Sequence, residues 1–269
     1  VPTEFAAGIH SVALEDGLLG LCALEPMNSG QKEIPGFAIG DHETDGPFGF
    51  SVQWPGQGAS GTEQKTALRK VILNAHKCGI YSALTREMVE DTPPNHRSGL
   101  ETAIAGAVRW GLDRAILRGT GAGQPLGVFN APSLVSVAKE SGQGADTILY
   151  ENVIKMRSAL HADSMRRAVW VVNPSAYEQL AVMSLSIGTG GAAMWQPSAR
   201  EGEPDLLLGR PIYWTEHAKP VGDVGDIALV DFSQLAVGMR SAIAIETNVA
   251  AGWTNDEIKI RVICRMDAR

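Results

Sequence analysis

The sequence predicts an α+β fold, and three observations lead to that prediction. Apolar residues at three- and four-residue spacing between about 97 and 118 indicate one long amphipathic helix. Several short apolar or alternating runs indicate strands, the last of them near the C-terminus. The order is strand, helix, glycine-rich loop and strand, with no repeat or low-complexity tract. Helices and strands are therefore mixed within one fold.

Composition and charge exclude several classes of protein. A chain of 269 residues with 44% hydrophobic residues can supply a core, which excludes disorder and fibres. Lys and Arg total 23 against 30 Asp and Glu, giving a net charge of -7, which argues against a broad phosphate-binding surface. No apolar run approaches the ~20 residues of a membrane helix, and no signal peptide opens the chain, so we expect a soluble protein without membrane contact.

The cysteines predict neither a disulfide framework nor a metal site. Cys22, Cys78 and Cys264 are odd in number, far apart and without a CxxC pair. A reducing compartment fits this usage.

The N-terminal third contains two irregular segments. Helix-like spacing before Gly30 is interrupted by Gly17 and Gly20, which predicts an extended, partly ordered arm. Residues 35–65 hold many Gly and Pro residues around one alternating run, Phe48 to Trp54, which predicts a long exposed hairpin or loop. A loop of this size is uncommon inside a compact domain, and it indicates a segment that reaches out to another surface.

The middle of the chain predicts a strand and then the long helix. Residues 67–81 read as a strand, and residues 82–92 as a short helix that the prolines after it would end. Ser98 is the predicted N-cap of the long helix, with Glu101 completing a capping box. A helix of about 20 residues spans about 30 Å, enough to be the axis of an elongated domain.

Shorter elements follow the long helix. A second helix is predicted at about 151–161, a buried strand at 168–172 and a further helix behind Pro174. Strands are predicted in GRPIYWTE, DIALVD, LAVGMRSAIAIE and the closing EIKIRVICRMD, where apolar residues alternate with charged ones.

The glycine-rich segment after the long helix predicts a structural turn. A dinucleotide fingerprint needs a strand before it and a helix after it, whereas here a helix precedes and Gln124-Pro125 follows. Glycines allow positive φ and close backbone approach at a helix end. The predicted turn residues are Gly119, Gly121, Gly123 and Pro125.

No motif for catalysis or for metal or cofactor binding is present. The six histidines are scattered without HExxH spacing, and no GxSxG elbow occurs. The carboxylates lie in predicted turns and helix ends, although a dispersed acid/base pair leaves no local motif. We therefore predict no catalytic, cofactor-binding or metal-ligating residues and no enzyme. The arm, the loop and the long helix indicate a protein that assembles.

Five strings, in this order along the chain, resemble the major capsid proteins of tailed double-stranded DNA bacteriophages, which have the Hong Kong 97-like fold. The resemblance covers nearly the whole chain. Its most specific part is the long helix followed by LRGTGAGQPLGVFN. The other strings are VWVVNPSAYEQL, LLLGRPIYWTE, DIALVDFSQLAVGMR and IKIRVICRMDAR.

The resemblance implies a division of the chain and a function. The subunit would assemble as hexamers and pentamers into an icosahedral shell that encloses double-stranded DNA without sequence-specific binding. It would be located in the virion after assembly in the host bacterial cytoplasm. The implied parts are an N-terminal arm (1–34), an extended loop (35–66), a peripheral domain with the long helix as its spine (67–130 and 236–269) and an axial domain (131–235).

The resemblance also implies partners. Besides copies of itself, the chain would meet a portal, a maturation protease and possible decoration proteins. The protease commonly removes an N-terminal scaffolding segment in this family, and a first residue of Val1 is what such a cut would leave.

Within the predicted loop, Phe48, Trp54 and Lys65 are the candidates for contacts between subunits. Some family members join a loop lysine to an asparagine of another subunit. Lys65 is the best-placed lysine, with Lys32 nearer the arm and Asn248 or Asn255 as conceivable partners. No motif surrounds these residues, so we expect non-covalent contacts or a decoration protein to hold the shell.

Two alternatives remain at this point. A bacterial nanocompartment shell has the same fold and encloses a cargo enzyme, and the glycine-interrupted arm argues modestly against it. The second alternative is an α+β small-molecule enzyme without a recognisable motif.

Overall fold

Two four-stranded sheets organise the protein in the computed structural model, which describes residues 17–37, 52–58, 60–63, 68–87, 94–187, 190–193, 195 and 205–269. The strands of the first sheet are β1 (Ala23–Pro26), β4 (His76–Thr85), β11 (Ala236–Gly252) and β12 (Glu257–Ala268). Their order across the sheet is β1, β11, β12, β4, in which β1 runs parallel to β11 and the other pairs are antiparallel.

The second sheet lies in the middle of the chain. Its strands are β5 (Val169–Val172), β8 (Leu206–Leu207), β9 (Arg210–Trp214) and β10 (Ile227–Val230), in the order β10, β5, β9, β8. Two antiparallel pairs complete the strands. They join β2 (Gln31–Phe37) with β3 (Leu68–Asn74) and β6 (Ser184–Ile187) with β7 (Gly190–Ala193). Together with the helices below, these strands confirm the predicted fold class.

Three α-helices lie among the described residues. Helix α1 (Pro94–Arg118) is the predicted long helix, and it begins before the predicted Ser98 cap because Pro94 suits a first helical turn. Helix α2 (Tyr150–Ser158) and helix α3 (Tyr177–Val182) were also predicted. The Asn173 side chain accepts a hydrogen bond from the Ser175 amide and caps the 3-10 turn that leads into α3.

The hydrophobic core has two clusters, and both follow from residue periodicity. On α1, Ile104, Val108 and Leu112 form one buried stripe with Ile116, and this stripe packs in one cluster with Val262, Cys264 and Met266 of β12. The second cluster surrounds the fully buried Trp170 of β5. Its indole nitrogen donates to the carbonyl oxygen of Leu207 over 2.9 Å, so the ring is buried without an unpaired polar group.

Parts of the predicted arm and of the predicted hairpin or loop pair with other strands. Within the predicted arm, Leu18 and Leu19 are fully buried, and strand β1 belongs to the first sheet. Residues 35–37, the first of the predicted hairpin or loop, are the end of β2 and pair with β3. Pairing with distant strands fixes these segments, and such partners leave no local signal in the sequence.

The short helix predicted at 82–92 is wrong over its first residues. Strand β4 continues to Thr85, and residues 82–85 pair with residues 257–260 of β12. Their helix-forming composition is overridden by the antiparallel ladder to the C-terminal strand. The single strand predicted at 67–81 is two strands in the structure, β3 and β4, which are separated by Ala75.

A disulfide joins Cys78 and Cys264, so the prediction that the cysteines form no disulfide is wrong. The two residues are directly opposite each other in the ladder of β4 and β12, with Cα atoms 5.4 Å apart, a separation that suits a disulfide. The bond joins positions 186 residues apart in sequence, and the pairing of the strands brings them together. Cys22 is the remaining cysteine and is free.

We expect the disulfide to stabilise the folded subunit, since closing so long a loop restricts the unfolded chain. In a non-reducing buffer, Cys78→Ala should lower the free energy of unfolding by about 2–5 kcal/mol. Chemical denaturation of unassembled subunits with and without a reductant measures this effect. The reductant should destabilise the wild-type chain and Cys22→Ala equally and leave Cys78→Ala unchanged. A wild-type chain that is insensitive to the reductant would contradict the expectation.

Candidate functional site

The most exposed aromatic side chain among the described residues lies on the predicted loop. Trp54 is 91% exposed, and Val52 beside it is 80% exposed. Between them, the Gln53 side chain donates to the Thr62 carbonyl oxygen over 2.8 Å and accepts from the Thr62 amide over 2.7 Å. These two hydrogen bonds join the two sides of the segment, which presents an apolar tip that the described rest of the chain does not cover.

The other residues of the loop prediction have different positions. Phe48 and Lys65 lie outside the described residues. Lys32 forms an ion pair with Glu25 at 2.7 Å, within the first strands of the chain. Asn248 lies in β11, where its side-chain oxygen accepts from the Ala250 amide. Asn255 ends the 3-10 turn Trp253–Asn255 between β11 and β12.

The glycine-rich turn follows α1 in the chain and is hydrogen-bonded to the C-terminal strand β12. The amide of Gly121 donates to the Pro125 carbonyl oxygen over 3.1 Å, and that of Gly127 donates to Gly119 over 2.8 Å. Next to them, the Leu126 amide donates to Ala268 at the end of β12. These backbone donors are satisfied inside the protein, so they are not available to hold a phosphate.

The glycines of the turn are required for two different steric reasons. Gly121 and Gly123 have φ values of +78° and +71°, which side chains with a Cβ rarely adopt. A Cβ on Gly119 would overlap the carbonyl oxygen of Pro125, and a Cβ on Gly127 would lie 2.6 Å from that of Leu117. Gly127 stands in the same glycine-rich string but was not among the predicted turn residues.

A buried carboxylate fixes the N-terminal segment to the long helix, and it was not predicted from the sequence. Asp113 on α1 is only 5% exposed, and its Oδ1 accepts the amide hydrogen of Leu18 over 2.9 Å. The guanidinium of Arg109 lies 3.8 Å away. A single aspartate on an otherwise apolar helix face was the available signal, and its partner was too distant in sequence to identify.

Burial changes the ionisation of this anchor. Burial raises the pKa of Asp113 to about 6, against the opposing effects of the Leu18 hydrogen bond and Arg109. Burial and the nearby Asp113 carboxylate raise the pKa of the Cys22 thiol to about 12, so this free cysteine is not a reactive thiolate. These shifts accompany packing of the arm rather than a catalytic arrangement.

A basic aromatic cluster lies farther along α1. Trp110 is half exposed, and the Arg114 guanidinium lies 5.5 Å from its ring centroid. The ring of His217 contacts the same indole, with centroids 4.7 Å apart. Burial, together with Arg118 and Arg114, lowers the pKa of His217, so its imidazole is neutral at pH 7.

An open apolar groove of about 230 Å³ lies between α1 and the edge strand β4. Ala107, Gly111 and Ala115 line it from the helix, and Cys78 and Ile80 line it from the strand. This groove was not predicted from the sequence, because it depends on how β4 pairs with the C-terminal strand.

The described part of the chain contains no group of three or more His, Cys, Asp or Glu residues arranged to hold a metal ion. Within the same residues, no helix is both long and apolar enough to cross a membrane.

Comparison with protein families gives one match over the whole chain. The model of the family described as "Phage capsid family" matches residues 1–269. A comparison with curated proteins finds no match.

Solved structures of phage and related particles share the fold. The capsid of an empty GTA particle has 17% identity and a TM-score of 0.73, and the match covers 96% of this chain and 87% of that one. A structure from Mycobacterium phage Cain has 14% identity, a TM-score of 0.61 and coverages of 93% and 82%. A structure from Gordonia phage Cozz has 12% identity, a TM-score of 0.63 and coverages of 94% and 81%.

We expect opposite effects on stability from a substitution of a glycine in the turn and from one of a glycine within α1. Gly119→Ala should lower the free energy of unfolding by about 3 kcal/mol, because the new methyl group overlaps a backbone carbonyl that cannot move aside. Gly106→Ala should raise it by about 1 kcal/mol, because Gly106 lies in an open position within α1. Denaturant titration of both variants measures the two changes, and equal shifts in one direction would refute this account of the turn.

The buried hydrogen bond between Asp113 and Leu18 predicts a pH-dependent effect of Asp113→Asn on stability. The folded-state pKa is raised from 3.8 to about 6, so the folded chain binds more protons than the unfolded chain between these values. The contribution of Asp113 to stability therefore decreases as the pH rises through this range. The substituted amide keeps an acceptor for Leu18 without a buried charge, so the variant should be more stable than the wild type by about 1–3 kcal/mol at pH 7.5.

Denaturation of unassembled subunits at two pH values provides the test. At pH 4.5 the aspartate is protonated, and the advantage of Asp113→Asn should be nearly lost. Asp113→Ala is the matched control: it removes both the acceptor and the titrating group, so it should destabilise by about 1–3 kcal/mol at pH 4.5 and by less at pH 7.5, and it should be less stable than Asp113→Asn at both pH values. An advantage of Asp113→Asn that is equal at pH 4.5 and 7.5 would contradict the assigned role.

Proposed function

Because this chain belongs to the phage capsid family and is a major capsid protein that assembles into the shell of the virion, we propose that its shell is icosahedral. Hexamers and pentamers of the subunit build it around the double-stranded DNA of a tailed phage or prophage. The observation that carries this proposal is the exposed tip of the loop, where Val52 and Trp54 are not covered by the described part of their own chain. Neighbouring exposed apolar side chains, unlike single ones, indicate a contact with another molecule.

The contacts between subunits are heterologous in this proposal. A loop of one subunit that covers a different surface of the next generates a ring when the rotation closes. The loop buries additional area without a larger core, so a subunit of this size can form wide contacts. Phe48, Trp54 and Lys65 remain the proposed contact residues of the loop.

The charge of the chain suits enclosure of DNA without tight binding. A net charge of -7 argues against a broad basic surface. Each phosphate that a wall neutralised would add salt-dependent affinity and would hinder packing or ejection. The proposed wall therefore encloses the genome and does not read its sequence.

The remaining proposals concern division of the chain, partners and place of assembly. We divide the subunit into an arm, a loop, a peripheral part built on α1 and the first sheet, and an axial part built on the second sheet. A portal, a maturation protease and possible decoration proteins are the further partners, and assembly takes place in the bacterial cytoplasm. The family match favours this function over the nanocompartment shell and over the small-molecule enzyme.

Removal of the exposed indole tests the role of the loop. Trp54→Ala should leave the stability of the unassembled subunit unchanged, since a 91% exposed side chain contributes little to the core. It should lower the yield of closed shells at least about tenfold, the effect expected when an aromatic anchor of an interface is lost. Electron microscopy and sedimentation of particles from the expressed protein measure this yield.

Val135→Ser is the matched control, because Val135 is 67% exposed and lies outside the loop. Its shells should form with nearly the wild-type yield. Shells of Trp54→Ala in wild-type amount would overturn the proposed role of the loop.

A further inference from the structure

The disulfide and the proposed place of assembly make opposite demands on Cys78 and Cys264. The structure joins the two residues across the ladder of β4 and β12. Disulfides persist in oxidising surroundings, whereas the bacterial cytoplasm keeps thiols reduced, and disulfides that occur there are mostly transient or redox-sensing. A subunit made in the cytoplasm would therefore begin with two thiols, and the bond would need an oxidant that the chain meets later.

The pairing of the two strands does not depend on the bond. All ten residues of β4 pair with β12, from His76 opposite Met266 to Thr85 opposite Glu257. On β12, the residues on either side of Cys264 on the same face, Val262 and Met266, are buried in the core cluster under α1. The ladder therefore holds the two sulfur atoms opposite each other in the reduced chain as well, so oxidation needs no change of register.

The two cysteines differ in their accessibility. Cys264 is only 3% exposed, whereas Cys78 is exposed and lies on an edge strand of the sheet. Both line the open apolar groove of about 230 Å³ between α1 and β4. An apolar cavity of about 150 Å³ already admits a benzene ring, so the groove has room for the thiol end of a small molecule. Such a molecule meets Cys78 first.

The charges at the groove suit an anionic reagent. The ionisable side chains that line it, His76 and Lys77, are both basic. Arg265 lies opposite Lys77, at the next pair of the ladder after the cysteines. Positive charge near a cysteine favours the reactive thiolate and attracts an anionic reagent. Glutathione and its disulfide are negatively charged at pH 7, so they belong to the class of reagent that this groove favours.

We propose that Cys78 is a thiolation site, through which a small anionic disulfide such as glutathione disulfide closes the bond to Cys264 after assembly. The inference rests on the proposed function only for assembly in the bacterial cytoplasm. The Cys78 thiolate attacks one sulfur of the glutathione disulfide, which forms a mixed disulfide and releases one glutathione thiolate. The Cys264 thiol then loses its proton and attacks the Cys78 sulfur, which closes the protein disulfide and releases the second glutathione. Two protein thiols are oxidised, and one glutathione disulfide is reduced to two thiols.

The bond then acts as a staple on the assembled subunit. Among the described strands, β4 pairs on one side only, with β12. The disulfide joins this edge covalently to the strand that packs under α1. The remaining cysteine takes no part, because its Sγ lies 3.3 Å from the Leu18 carbonyl oxygen and burial raises the pKa of the Cys22 thiol to about 12.

Two variants that each keep one thiol of the pair test the order of attack. In glutathione disulfide, purified Cys264→Ala should gain one glutathionyl group at Cys78. This reaction should be at least about tenfold faster than the gain at Cys264 in Cys78→Ala, since exchange follows thiolate character and access. Peptide mass spectrometry locates the groups, and Cys22 is the internal control that stays unmodified. Equal rates at the two positions, or modification of Cys22 alone, would overturn the assigned site.

Trapping thiols in the wild-type chain tests when the bond forms. Cells that contain assembled shells are quenched in acid, and the denatured protein is alkylated with N-ethylmaleimide. Fewer than about one chain in ten should carry the disulfide at this stage. Shells isolated from the same cells and incubated with glutathione disulfide should carry it in most chains. A disulfide already present in most chains of the quenched cells would contradict the proposed timing.

The effect on the shell tests the staple. Oxidation of wild-type shells should raise the temperature at which they come apart by about 5 °C or more. Cys78→Ala is the matched control, since it should form shells with nearly the wild-type yield and show no rise with the same treatment. An equal response of the two kinds of shell would refute the staple.

The outcomes separate this inference from the proposed function. If shells form and the quenched cells already contain the bond, the proposed function stands and the inference fails. If the chain forms no shells but glutathione disulfide still modifies Cys78 first, the thiolation site stands and the proposed function fails.

Discussion

The packing of helix α1 on strand β12 is the contact on which the first sheet and the segments around it depend. Val262, Cys264 and Met266 lie under the buried stripe of the helix, and β12 pairs with β11 on one side and with β4 on the other. The last residues of the chain therefore hold together segments that are distant in sequence. The turn after α1 adds to this arrangement, since Leu126 donates to Ala268 at the end of the same strand. Contacts between segments so far apart in sequence are expected to slow folding, because the long loop between them must close before the pairing is gained.

This central position of β12 leaves particular surfaces uncovered. With β4 at the edge of the sheet, its outer side and the adjacent face of α1 have no further strand or helix over them within the described residues. A monomeric protein usually protects such an edge with charges, proline or a covering element, because it can pair with other chains. In the proposed assembly, this uncovered edge is a surface available to another copy of the chain.

The sequence predicted those parts of the fold that depend on local patterns. The long helix and the alternating strand at the C-terminus were predicted correctly, because burial of one face imposes the spacing of apolar residues. The short helix at 82–92 was predicted wrongly over residues 82–85, because pairing with β12 determines their conformation. The disulfide and the Asp113 anchor join residues separated by 95 or more positions, and the groove depends on equally distant strand pairing. No local pattern encodes these partners. The exposed loop was indicated by its glycines, prolines and aromatic residues.

Folding and assembly make different demands on the same side chains. The Asp113 carboxylate is buried at a cost that its hydrogen bond to Leu18 offsets only in part, yet it fixes the start of the arm to the spine helix. Trp54 contributes little to the subunit and exposes a large apolar surface to water. Both features are unfavourable in an isolated chain. In the proposed shell the exposed surface of Trp54 is removed from water by contact with a neighbouring copy, and this contact recurs once for each subunit of a ring. Weak individual contacts, repeated by symmetry, give a stable shell and still allow misplaced subunits to leave during assembly.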